Sequence, residues 1–214
     1  PDNNELFFTA ITQINHGGPS VISDPNQSTI CAKLNLKAGK LSIVLSDYAT
    51  ALSLFEHGIS YLGDDKWTSE YGISLDLFDS AAEAACVLNK NAAVTSYTEE
   101  LVANAKSFDD SLNCLAVSAK CLMQAELLEE SMSSSLDTLS KLGEQPLREI
   151  SDSTLQADMM KMNEMLRNMP DESILNLHEN KTKRVIITLK LYLILGHVLH
   201  FMKPSLIGSV SLRM

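Results

Sequence analysis

The sequence predicts an all-α protein built from antiparallel helix hairpins. Three observations carry that expectation. Apolar residues recur at three- and four-residue steps from end to end, and no segment alternates with period two for long. Gly and Pro are scarce, 9 and 6 in 214 residues, and aromatics make up only 6%, while Leu, Ala, Ser and Met dominate. That mix suits helices, whose interiors reject Gly and Pro, better than strands, which favour β-branched and aromatic residues. The breaks between stripes are short, which makes successive helices antiparallel neighbours. A helix with one apolar stripe must bury it on another helix, and serial hairpins do so without a sheet.

The elements follow in order. Phe7, Ala10, Ile11 and Ile14 mark a first helix. "NHGGPSVISDPN" at 15–26 interrupts it with two glycines and two prolines. Ile30, Leu34, Ala38 and Leu41 carry the next stripe, and Leu45, Tyr48, Leu52, Phe55, Ile59 and Leu62 a longer one that Gly63 closes. "DDKW" reads as a turn. Tyr71, Leu75, Phe78, Ala82 and Ala85 form a helix ending near "NKN", and another runs from about residue 92 to residue 106. Leu112, Leu115, Ala119 and Leu122 continue the series, and Met132, Leu136, Leu139 and Leu142 end at Gly143. Leu155, Met159, Met162 and Leu166 stop at Pro170, and "DESILNL" adds a short turn of helix. The apolar segment at 185–202 is long enough to cross a bilayer. Lys190, His197 and His200 interrupt it, so a buried central helix fits better than a membrane span or an interfacial helix. "KPSLIGSVSLRM" begins a further element. Residues 1–143 are expected to hold the hairpins, and 144–214 a helical extension on the same array.

Charge narrows the function. The net charge of −10, from 17 Lys+Arg and 27 Asp+Glu, repels phosphate backbones and disfavours nucleic acid. "KTKR" at 181–184 is short enough to be a solvated helix start. Cys31, Cys86, Cys114 and Cys121 form no CxxC pair and sit in apolar helical contexts. They read as small core residues of a reducing, cytoplasmic compartment. The sequons at Asn26 and Asn180 carry no weight without a secretory signal, and none is visible. The chain opens "PDNNELFF" with no initiator Met, which suggests a fragment or a processed piece.

No motif for chemistry emerges. His197 and His200 have metal-ligand spacing without a third ligand nearby, and read as core or boundary residues. His16 in "NHGG" reads as a turn residue. The acidic pairs at 64–65, 99–100, 109–110 and 129–130 fall at helix ends or outer faces. The methionine-rich run at 159–169 could form an adaptable groove, but core filling is the plainer reading.

A repeat is visible instead. Tetratricopeptide (TPR) repeats place a small residue at the close crossing of the second helix, a bulky one four later and a small one three after that. Tyr48, Ala51, Phe55 and Gly58 fit, with Phe55 filling the groove that the small residues open. Ala93 and Tyr97 fit in part, with Glu100 in the second small position; Ser131, Ser135 and Leu139 fit more weakly. The hairpins are TPR-like and degenerate, and become irregular toward the C-terminus.

"LFFTAITQINHGG" followed by "AKLNLKAGKLSIVLSDYATALSLFEHGISYLGDDKW" resembles a known family segment. It is similar to the helical region downstream of the origin-recognition-like, STAND-class AAA ATPase domain of large signalling proteins. Those proteins combine a serine/threonine-kinase-like domain, the ATPase, this TPR-like region, a GAF domain and often a histidine kinase. Ile14, Asn15 and Gly17, then Ala32, Leu34, Asn35, Leu36, Ala38 and Gly39, and finally Tyr48, Ala51, Phe55, Gly58, Leu62 and Trp67 carry the resemblance. It is good over residues 7 to 90 and fades beyond. Ser42 or Ile43 stands where the family usually has Ala. The resemblance implies a connecting scaffold, since no GxxxxGK[ST], kinase, GAF or phosphoacceptor signature occurs here. The expectation is therefore a non-catalytic signal-transduction scaffold. Its partners would be proteins or neighbouring domains of the same polypeptide, with no nucleic acid, membrane, metal or cofactor. Leu34, Ala38, Tyr48, Ala51, Phe55, Gly58, Leu62 and Trp67 would do the packing. The alternatives are a fragment of the ATP-binding polypeptide itself and a membrane-attached helical protein.

Overall fold

Three helices start at a capping side chain. Asp24 accepts the Asn26 N–H and Pro25 opens the helix; Asp47 accepts the Thr50 N–H at 3.1 Å; Ser151 accepts the Thr154 N–H at 3.2 Å. The computed structural model describes residues 3–170 and 182–214, and among these there are eleven α-helices and no strand. The expected "DESILNL" turn, the sequon at Asn180 and Lys181 lie outside the described residues. The helices are α1 (Asn3–Gly17), α2 (Pro25–Val44), α3 (Tyr48–Tyr61), α4 (Lys66–Ser69), α5 (Tyr71–Val87) and α6 (Asn91–Asn104). They continue as α7 (Phe108–Gln124), α8 (Leu128–Lys141), α9 (Asp152–Arg167), α10 (Lys183–Met202) and α11 (Ile207–Ser211). The expected "DDKW" turn is in part helical: Trp67 lies in the single-turn α4. Leu45, read as the start of the α3 stripe, sits in the turn before it and is 72% exposed.

One turn geometry recurs. After α2, α5 and α7, Ser46, Asn89 and Glu126 adopt left-handed φ angles of 60°, 55° and 62°. In each case the following N–H reaches back five residues, from Asp47 to Ser42 C=O, Lys90 to Ala85 C=O and Leu127 to Leu122 C=O. The next helix then begins two residues after the left-handed one and is 14 residues long each time. Counting from that residue aligns the helices. The fifth, ninth and twelfth positions onward are Ala51, Phe55 and Gly58, then Val94, Thr98 and Leu101, then Ser131, Ser135 and Thr138, and all are buried. The expected register through Ala93 and Tyr97 is thus one residue off, because those two are only half-buried.

The chain divides into two compact units, Pro1–Cys121 and Leu122–Met214. In the first, α2 packs on α3, α3 on α5 and α5 on α6, around a core that includes Ala51, Leu52, Phe55, Leu77, Phe78 and Leu101, joined by Cys114 and Val117 of α7. α1 closes over α2 and α3 through Ile11, Ala38 and Leu54. It is also tied by polar groups. The Asn15 and Asn35 side-chain amides exchange two hydrogen bonds, at 2.7 and 3.0 Å, and the Tyr61 hydroxyl donates to Ile14 C=O at 2.9 Å. In the second unit, α8 and α11 pack on α10, burying Ile187, Leu191, Tyr192, Leu195, Val198 and Leu199. The Tyr192 hydroxyl donates to Glu144 at 2.6 Å, and Arg213 donates to Tyr192 and to the Gln145 and Pro146 carbonyls, strapping 144–146 against α10.

Two expectations about burial do not hold. In α2 the buried face is Cys31, Ala32, Asn35, Ala38, Gly39 and Ser42, while Ile30 is 54% exposed. In α9 no residue is buried, so Met159, Met160, Met162 and Met165 are not core.

Candidate protein-interaction surface

The close approach of α2 and α3 comes from the absence of side chain. The Phe55 ring lies on Gly39, where a Cβ would overlap it. A Cβ at Gly58 would lie 2.7 Å from Leu77 Cδ2 and 3.3 Å from Asn35 Cβ. Gly39 has its counterparts in Ala82 and Ala119, each seven residues before the left-handed turn, and both are buried. Bringing the helices this close drives the large side chains of α2 to its flanks, where Leu36 stays half exposed.

The eight residues expected to pack the hairpins fall on the interior side of this arrangement. Ala38, Ala51, Phe55 and Gly58 are buried. Leu34 borders the cluster under α1, and Tyr48, Leu62 and Trp67 border the main core, half-buried. Trp67 sits 5.0 Å from the Phe78 ring, and its Nε1–H donates to Glu100 at 3.1 Å. Lys66 reaches the same carboxylate at 3.1 Å, so Glu100, read as a misfit in the repeat, fastens α4 to α6. Asp110, read as a helix-end acid, accepts the Tyr71 hydroxyl at 2.7 Å while that hydroxyl accepts the Lys106 N–H at 2.8 Å.

The outward side of α2 differs in character. Lys33, Leu36, Lys37, Lys40, Leu41 and Val44 line a shallow depression of about 360 Å³. It adjoins a second of about 530 Å³, where Lys33 and Leu36 of α2 face Tyr71, Gly72, Ile73 and Asp76 of α5. Lys40 pairs with Asp76 at 2.9 Å, and Thr29 donates to Glu70 at 3.0 Å, which occupies the carboxylates bordering the groove. Lys37 lies 5.3 Å from the centre of the Phe7 ring. Among the described residues no carboxylate forms an ion pair with Lys33 or Lys37. The groove is therefore a locally basic, part-apolar strip on an acidic chain. Sequence reasoning passed over it, although Lys33, Lys37 and Lys40 stand at helical spacing in "AKLNLKAGK".

The ionisable groups of the interior are held neutral or bonded. Burial, and then the neighbouring Cys121 thiol, pushes Cys86 up to about 11. The Cys121 thiol donates to Asn91 Oδ1 at 3.2 Å, and burial raises its pKa too. Such thiols stay protonated at neutral pH and are poor nucleophiles. Burial, then the bond to Glu56, raises Tyr97. His197 and His200 are exposed on α10, their rings against Phe201 at 5.6 and 5.1 Å. Among the described residues no three His, Cys, Asp or Glu side chains converge in a metal-binding group. α10 is the one helix among the described residues long and apolar enough to cross a membrane, and part of it is buried against α8 and α11. Compared with known proteins, the chain matches no family model, no curated protein and no solved structure.

Proposed function

We propose that the chain is a non-catalytic helical scaffold of TPR-like hairpins in solenoid order. It would contact proteins or neighbouring domains of its own polypeptide inside the cell. The observation that carries this reading is the recurrence of one turn, followed each time by a 14-residue helix with buried positions at the same three offsets. A unit repeated in this way stacks on its neighbour and offers the outer faces of its first helices as a continuous surface. The groove along α2 and α5 is the docking surface. Leu36 and Ile73 supply apolar contact, and Lys33 and Lys37 supply charge for one or two carboxylates. The partner segment is accordingly short, acidic and part-aliphatic.

The resemblance to the helical region of multidomain signalling ATPase/kinases supplies the setting. There, partner binding would shift the packing of adjacent helix pairs and so bias the neighbouring ATPase, with no cofactor held by this region. Two measurements test the reading. Acidic, Leu-containing peptides arrayed on a surface should bind the chain, and Lys33→Glu with Lys37→Glu should abolish that binding at unchanged helicity. Calorimetric titration with ATP should give no saturable heat; a measurable affinity would replace the scaffold with a fragment of the ATP-binding polypeptide.

A further inference from the structure

The second unit carries two helices whose apolar stripes are largely exposed. On α9, Leu155, Met159, Met162 and Leu166 follow one another at four- and three-residue steps, the spacing of a helix–helix seam. Met159, Met162 and Leu166 are about half exposed, and Met160 and Met165 more so. On α10, the face turned away from α8 presents Ile186, Leu189, Leu193 and Phe201, the last two 61% and 66% exposed. Contiguous apolar surface of this kind marks an interface rather than ordinary scatter.

The charges beside the two stripes are opposite. Asp152 and Asp158 flank the stripe of α9 by helical position, and Asp158 is only loosely held by Lys161, at 3.8 Å. Lys183 and Lys190 lie on the outer face of α10. Residues 182–214 contain five Lys and Arg and no Asp or Glu, in a chain whose net charge is −10. Pairing α10 with another α10 would set lysines against lysines, and pairing α9 with another α9 would set aspartates together. Only the unlike pairing joins both stripes with matched charge.

We infer that the occupant is a second copy of this chain. α9 of each copy lies along the outer face of α10 of the other, so one two-fold axis satisfies both stripes at once. Within a single chain neither stripe is fully covered. Leu155 and Ile150 seat the start of α9 over Gly208 of α11, and Leu193 and Phe201 remain uncovered. Methionine, unbranched and polarisable, lets α9 fit the irregular surface that Leu193, His197 and Phe201 offer. A lipid surface would satisfy α10 but leave the aspartate-flanked stripe of α9 unpartnered.

Sedimentation analysis over a dilution series tests this. The wild-type chain should move from dimer to monomer on dilution. Asp158→Lys and Lys190→Glu should each weaken the dimer about tenfold or more, by turning an attractive pair into a repulsive one, at unchanged helicity. Mixing the two single variants should restore association, because each copy then supplies the charge that the other lacks. A monomer at every concentration overturns the inference, and so does a dimer indifferent to both reversals. Recovery in the double variant but not in the mixture would place the pair within one chain and also overturn it. So would binding to phosphatidylserine vesicles by a chain that stays monomeric in buffer.

Discussion

At Gly39 a single hydrogen in place of a methyl group sets how near two helices can come. The Phe55 ring occupies the space that a Cβ would need, so Gly39→Ala should destabilise the first unit by about 1–3 kcal/mol, the range for overpacking a filled core. Ala51→Arg asks more of the same contact, since Ala51 is fully buried, and thermal melting should fall steeply; an unchanged melting temperature would count against close crossing there. Two positions equivalent to Phe55 carry hydroxyls instead. Thr98 Oγ1 and Ser135 Oγ are buried with no hydrogen-bond partner among the described residues. Thr98→Val keeps the shape and removes the stranded hydroxyl, so denaturant midpoints should rise, by about 1 kcal/mol in stability. Cys86 adds a pH dependence. The native state holds its thiol protonated beyond the ordinary value of 9.0, up to about 11. The stabilisation is therefore complete below pH 9 and is lost as the pH climbs through about 11. Tyr61, Tyr97 and Tyr192 are raised from 10.0 and act in the same sense, so Cys86→Ala should make the alkaline fall shallower without removing it.

At the scale of the element, stability depends on the three left-handed turns. Ser46 and Glu126 hold positive φ with a Cβ present, which costs about 1–2 kcal/mol relative to the right-handed region. Glycine removes that strain but loosens the unfolded chain, so Ser46→Gly and Glu126→Gly should each be stabilising by about 0.5–1 kcal/mol in thermal or chemical denaturation. Asn89, a residue that tolerates this region, should gain less from the same change. The turns also mark where sequence reading worked and where it did not. Most helices and their order were legible because the apolar stripes recur and stops such as Gly143, at φ 93°, separate them, but the single-turn α4 hid in "DDKW". The buried faces were less legible. α2 buries Cys, Ala, Asn, Gly and Ser, and α8 buries Ser131, Ser135 and Thr138 beside Leu139, so a search for Leu and Ile finds only part of the contact. The α9 stripe misled in the opposite direction: its spacing is that of a buried helix, but burial depends on a partner that the stripe does not name.

At the scale of the whole chain, composition foretold an all-helical molecule, and the caps and turns explain why. The candidate surface was harder to see. Lys33, Lys37 and Lys40 are ordinary on a helix until Ile73 and Tyr71 stand opposite, and only the packing of α5 beside α2 creates that juxtaposition. The segregation of basic residues into 182–214 was legible from the start, but had no meaning without the exposed face of α10. The Asn15–Asn35 amide pair bears on how the first unit is closed. Asn35 is fully buried, and its amide is completed by Asn15 of α1. Whatever covers the middle of α2 has to answer with a donor of its own: Asn35 Nδ2 keeps the Cys31 C=O at 3.0 Å, but a purely oily substitute would strand Oδ1 in the dark. The seal is thus chosen by chemistry and not by greasiness alone, which guards this edge against promiscuous stacking.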